Sequence, residues 1–193
     1  MSKWAEGEWI PIVGGAARID VGPDGLPYAV NPKNGLGKFT DKGTWSEYPR
    51  YASDVGVGAD GTLWMIGSES ENYSVARWST EDSEWINIVG EPRRIDVGPD
   101  GTPYVVNENG TVFFYNGVKW IEMPGKLTDI SVGADGTIWG VGTNKQDNGS
   151  GFGIWKYVDG EWIAFAGTAV NISVGPDGKP WLVNARNEIW RMK

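Results

Sequence analysis

The chain has 193 residues, enough for one ordinary domain, with 29 glycines, 12 tryptophans and no cysteine, so disulfides and thiolate metal sites are excluded. Lys and Arg number 17 against 25 Asp and Glu. The resulting charge of −8 repels nucleic acid and anionic lipid unless basic residues cluster, and Arg93-Arg94 is the densest pair. No apolar stretch reaches the length of a secretory core or a membrane span, so the expectation is cytoplasmic synthesis and, at most, non-classical export to the cell surface.

From the N-terminus, Gly7-Glu8-Trp9-Ile10-Pro11-Ile12 reads as an outer β-strand with no inner strands before it. One glycine-turn motif then recurs five times: Asp20-Val21-Gly22-Pro23-Asp24-Gly25 and its counterparts starting at Gly56, Asp96, Ser131 and Ser173. From valine to valine the spacings are 36, 40, 35 and 42 residues. The 19 residues after Val174 and the 21 ending at Val21 together make 40, one more repeat of ordinary length. An open solenoid has no reason to divide a repeat between its ends, whereas a ring does. The expected fold is therefore all-β, a single five-bladed β-propeller domain over residues 1–193. Its copies run at about 14–48, 49–88, 89–123, 124–165 and 166–193 plus 1–13. The last four-stranded blade is expected to be closed by the N-terminal strand.

Each copy reads as four short strands. In the fourth, Asp129 to Gly133 alternates as an inner strand, followed by Thr137 to Gly142, Ile154 to Tyr157 and an outer Trp162 to Phe165. The Asp-Gly pairs between strands supply the positive φ of tight turns, so their aspartates are turn residues first.

The copies, with Ile-Ser-Val-Gly-Ala-Asp-Gly-Thr-Ile-Trp-Gly-Val at 130–141 and Ile-Trp-Lys-Tyr at 154–157, resemble the tectonin repeat of tectonins, tachylectin-1-like lectins and fish-egg lectins. WD repeats need a Gly-His pair, and this chain has no histidine. Members of the tectonin family commonly carry six copies, and this sequence carries five. The resemblance implies a lectin-like propeller recognising glycans on cell or microbial surfaces.

Two aromatic columns recur. Tyr28, Trp64, Tyr104, Trp139 and Trp181 on strand two lie where neighbouring blades cover them and read as packing. Trp9, Trp45, Trp85, Trp120 and Trp162 open strand four and share a face with Pro11, Glu47, Asn87, Glu122 and Ala164. A rigid aromatic plate beside hydrogen-bonding groups suits a sugar ring, although packing alone would also explain this column. Asn31, Asn107 and Asn184 occupy one aligned position after strand two, with Asn34, Asn109 and Asn187 close behind. Asparagine both donates and accepts, as hydroxyl recognition requires, and it also closes turns. Copies two and four carry Gly67 and Gly142 there and have longer connections, so equivalent sites are expected to number two or three rather than five.

An inner-strand column reads Arg18, Asp54, Arg94, Asp129, Asn171, placing opposite charges on neighbouring blades, where they are expected to pair and set blade order. The functional expectation is a multivalent, non-catalytic carbohydrate-binding protein that needs no cofactor or metal and prefers neutral glycans to phosphate-rich ones. The alternative is a protein-interaction scaffold.

Overall fold

The computed structural model describes residues 2–5, 8–146 and 149–193, with backbone alone at 2–5 and Trp9. Alternation and tight turns dominate the sequence, and the fold is all-β apart from a 3-10 turn at Glu69–Glu71. A hairpin of β1 (Ser2–Ala5) and β2 (Glu8–Pro11) comes first. Unit 1 follows as β3 (Arg18–Val21), β4 (Pro27–Val30), β5 (Gly35–Phe39) and the first part of β6 (Trp45–Val57). The rest of β6 opens unit 2, with β7 (Leu63–Gly67), β8 (Val75–Ser79) and β9 (Glu84–Ile88). Unit 3 holds β10 (Pro92–Val97), β11 (Pro103–Asn107), β12 (Thr111–Tyr115) and the start of β13 (Trp120–Val132). The remainder of β13 joins β14 (Ile138–Lys145), β15 (Phe152–Val158) and β16 (Glu161–Ala169) in unit 4. Unit 5 has three strands, β17 (Asn171–Val174), β18 (Pro180–Val183) and β19 (Ile189–Arg191).

Every unit is an antiparallel meander. In β6 and β13 one long strand serves as the outer edge of one unit and the inner strand of the next, with register shifts where the role changes. The first turn of each unit depends on the Asp-Gly glycine. Gly25, Gly61, Gly101, Gly136 and Gly178 all have φ between 72° and 85°, a left-handed region where a side chain is strained. The preceding aspartates accept backbone N–H bonds two residues on, as at Asp60 Oδ1 from Thr62 (2.9 Å) and Asp135 Oδ1 from Thr137 (2.9 Å). Their role in the turns is thus the one read from sequence.

The core lies between units. One cluster joins Tyr28, Val30 and Leu36 to Val55, Val57 and Met65 across units 1 and 2, and comparable clusters fill the three following junctions. Strand-two aromatics take part: Trp64 and Trp139 are buried and donate Nε1–H to Gly101 O and Gly178 O of the next unit, each at 3.2 Å. The five inner strands together surround a central cavity of about 840 Å³.

The expected charge ring is present in this cavity. Arg18 Nε lies 3.8 Å from Asp54 Oδ1 and Arg94 Nε 3.7 Å from Asp129 Oδ1, while Asn171 Nδ2 donates to Asp129 Oδ2 at 3.3 Å. The aspartates also accept from the backbone of the following unit, Asp54 from Ile95 (3.3 Å) and Asp129 from Ile172 (3.0 Å). Asp20 and Asp96, two residues beyond Arg18 and Arg94 on the same inner strands, do the same, receiving Val57 N–H (2.6 Å) and Val132 N–H (2.8 Å). Each carboxylate therefore ties two units together.

The expected closure of the last unit by the N-terminal strand is not what the structure shows: among the described residues, β2 pairs with β1, and β19 pairs with β18 alone. The registers explain why. Trp4 faces Trp9 just as Tyr115 faces Trp120 and Tyr157 faces Trp162, so β1 stands to β2 as a third strand stands to a fourth. Arg191 faces Trp181 just as Lys156 faces Trp139, which makes β19 a third strand as well. Two third strands compete for one edge of β2, and the one two residues away closes the shorter loop. The junction of units 5 and 1 is correspondingly open. Ile19 and Val21 are 53% and 54% exposed, whereas their counterparts Ile95 and Val97 are buried, and Trp181 is 48% exposed where Trp139 is covered.

Candidate functional site

The strand-four tryptophans follow hairpin turns that set them, tilted or edge-on, against the facing aromatic of strand three. Ring centroids are 5.3 Å apart for Phe39 and Trp45 and 5.1 Å for the pairs Trp78–Trp85, Tyr115–Trp120 and Tyr157–Trp162. Each indole also reaches back to the preceding unit. Trp45 Nε1 donates to Val13 O (2.8 Å), Trp85 to Pro49 O (2.7 Å), Trp120 to Val89 O (2.6 Å) and Trp162 to Pro124 O (2.7 Å). The column is therefore an inter-unit latch first, which sequence reasoning only partly anticipated. The bond satisfies the polar edge of the indole and fixes the ring plane. Trp85 is buried, whereas Trp45, Trp120 and Trp162 keep part of a face exposed. The side chain of Trp9 lies outside the described residues.

The asparagines build turns. Asn31 Oδ1 accepts from Lys33 N (2.8 Å) and Gly35 N (3.0 Å), Asn107 Oδ1 from Asn109 N (3.0 Å) and Thr111 N (2.9 Å), and Asn184 Oδ1 from Arg186 N and Glu188 N, both 3.0 Å. Asn34 and Asn187 adopt left-handed backbone with φ of 67° and 62°. In unit 3 that position belongs to Gly110, so Asn109 sits one residue earlier and is not their equivalent. These bonds commit the carbonyl oxygen of the leading asparagines and leave Nδ2 as the donor that Asn31 and Asn107 can present. In Asn184 the amide is already used, by Glu188 Oε2 at 2.7 Å.

Tryptophan and asparagine converge in two places. A groove of about 210 Å³ beside unit 1 is lined by Trp45, Asn31 and Glu47, with Gly14, Gly35 and Gly37 opening its walls. A second, of about 340 Å³, lies beside unit 3 and brings together Trp120, Asn107, Asn109, Glu108, Glu91 and Phe113. A third hollow of about 440 Å³ at unit 5 holds Asn184 with Phe165 and Trp190 but no strand-four tryptophan. Trp85 and Trp162 face units without the asparagine. The sequence reading missed Glu91, Glu108 and Phe113, whose arrival in the groove depends on how units 2 and 3 abut.

The two grooves offer an aromatic plate, an amide donor and carboxylate acceptors, a set that can hold a ring with an apolar face and hydroxyl edges. Arg93 lies 3.7 Å from Glu108 and stacks 3.5 Å above the Tyr73 ring, so the carboxylate side of the second groove is partly neutralised. Among the described residues no group of three or more His, Cys, Asp or Glu side chains could hold a metal ion.

Charge in the central cavity is arranged differently. Burial pushes Asp54 up to about 7 despite the Arg18 and Arg94 guanidinium groups, and burial also raises Asp20, Asp96 and Asp129. These carboxyls face one another and backbone N–H groups, and their geometry fits inter-unit fastening.

The family model of the Tectonin domain matches residues 51–190. Similar solved structures include YCF48 bound to D1 peptide, with a TM-score of 0.56 at 15% identity, covering 87% of this chain and 60% of that one. A putative gluconolactonase gives 0.61 at 19% identity, covering 90% and 72%. A protein of unknown function from Bacteroides thetaiotaomicron gives 0.65 at 13% identity, covering 95% and 60%. At these identities the likeness is one of fold, and this chain spans 60% of the length of the first and third of these structures. No curated protein matches the sequence.

Proposed function

For a chain that belongs to the tectonin family, we propose a non-catalytic carbohydrate-binding function carried by a five-bladed propeller, with sugar rings held in the grooves beside Trp45 and Trp120. The observation that carries this reading is the convergence, in two grooves, of a latched indole with an asparagine amide and a glutamate carboxylate, Glu47 in the first and Glu91 and Glu108 in the second. The indole plane meets the C–H face of a sugar, while the amide and carboxylates meet its hydroxyls. Acidic walls and a net charge of −8 favour neutral glycans over phosphate-rich ones. Two weak sites on one rigid body gain strength together on a glycan-coated surface. A glycan array probed with the intact protein tests this. Hits should be reduced by Trp120→Ala and competed by the free sugar, and a blank array would remove the proposal.

The protein-scaffold alternative draws on the exposed apolar side chains of Trp181 and Ile189 at the open junction. Partner capture that persists in excess free sugar would favour it.

A further inference from the structure

One position recurs five residues after each strand-four tryptophan, and in four cases it directly follows the carbonyl that receives a tryptophan latch. It is occupied by Gly14, Arg50, Gly90, Gly125 and Gly167, and all five have positive φ, from 80° to 158°. Four are glycines, as that backbone favours. Arg50, at φ 80°, is the exception.

Its guanidinium is held on three sides. Nη1 donates to Asn87 Oδ1 (2.7 Å), Nη2 to Ser74 Oγ (2.9 Å) and Nε to Glu71 Oε2 (3.0 Å). Asn87 stands two residues after its tryptophan, as Glu47 does in unit 1, and Ser74 O accepts from Gly67 N–H as Gly35 O accepts from Asn31 N–H, so Ser74 and Gly35 are equivalent. Glu47 and Gly35 are walls of the open groove beside Trp45. The Arg50 side chain thus bridges in unit 2 the two walls that stay apart in unit 1.

We propose that Arg50 is a built-in stopper that fills the unit 2 counterpart of the ligand grooves, and that its guanidinium imitates the donor-rich group those grooves accept. Unit 4 is closed by other means. Trp155 lies over Gly142, where an added Cβ would meet its Nε1 at 2.5 Å, and it donates to Asn144 Oδ1 at 3.3 Å. Open and filled grooves therefore alternate along units 1 to 4, and ligand valency is set by what fills each groove as well as by the repeat count. The ligand class follows from the imitation: groups that donate several hydrogen bonds, such as the vicinal hydroxyls or the ammonium of an amino sugar, suit these walls, and acidic sugars do not. The sugar part of this statement rests on the carbohydrate reading, and the stopper does not.

The variant Arg50→Gly tests the stopper, and it should fold because four other units carry glycine there. Titrated with methylguanidinium, the variant should show a saturable rise in Tm of several degrees that the unaltered protein lacks. With any oligosaccharide found to bind, calorimetric stoichiometry should rise by one site per chain. An Arg50→Gly variant with no methylguanidinium response overturns the stopper, and so does an unchanged stoichiometry. A blank glycan array alongside a clear methylguanidinium response strikes out the sugar reading and leaves the stopper standing.

Discussion

The buried aspartates of the central cavity make stability depend on pH in an unusual direction. In the unfolded chain Asp54 titrates near 3.8, whereas in the folded protein burial keeps it protonated up to about 7. Between those values the folded state binds more protons than the unfolded state, so the stability present at low pH is lost as pH rises through about 7. A rise from 3.8 to about 7 corresponds to about 4 kcal/mol at 1.36 kcal/mol per pH unit. For a chain of this size that is on the order of 10 °C in Tm. Asp20, Asp96 and Asp129 are raised in the same direction and add to the slope. Thermal melts followed by tryptophan fluorescence at pH 5, 6, 7 and 8 should therefore show Tm climbing as the solution is acidified. In Asp54→Asn the climb should be shallower, since the titrating group is gone, although losing one acceptor and the partner of Arg18 lowers Tm overall. A Tm that is flat, or that falls from pH 8 to pH 5, would refute the argument that burial governs these carboxyls.

Other consequences are open to direct measurement. Trp120→Phe keeps an aromatic plate but removes the bond to Val89 O, so denaturant unfolding should show a loss of about 1–2 kcal/mol, and glycan binding should weaken less than in Trp120→Ala. Gly58→Ala would place a Cβ 2.8 Å from Gly98 O of the neighbouring unit, and overpacking there should cost about 1–3 kcal/mol in the same assay. Because the chain has no cysteine, introduced pairs report strand partners cleanly. Trp4→Cys with Trp9→Cys should oxidise readily, and Met192→Cys with Trp9→Cys should not; the reverse yield on a non-reducing gel would show that β2 pairs with β19 instead.

Much of the architecture was legible from local chemistry. Asp-Gly pairs demand positive φ wherever they occur, strand alternation has a period of two, and a repeated motif repeats its fold, so the four strands of unit 4 lie within a few residues of where alternation put them. The charged column could be read in the same way, because equivalent positions in successive units must be neighbours in space. Arg18 met Asp54 and Arg94 met Asp129 for that reason.

Contacts between units had no such local signature. That strand-four indoles latch onto a carbonyl of the preceding unit depends on how two sheets abut, as does the arrival of Glu91 and Phe113 beside Trp120. The sequence reading did not single out Arg50, and only the positions of Glu71, Ser74 and Asn87 show that it fills a groove. The ends make the same point. Counting residues divided one repeat between the two termini, but the count could not say that β1 and β19 are both third strands and claim the same edge. Sequence by itself determined the repeat, its turns and its alternating faces, since these follow from bonds within a few residues. Tertiary structure decided which faces meet, which grooves stay open and which strand takes a contested edge, because those outcomes depend on competition among surfaces far apart along the chain.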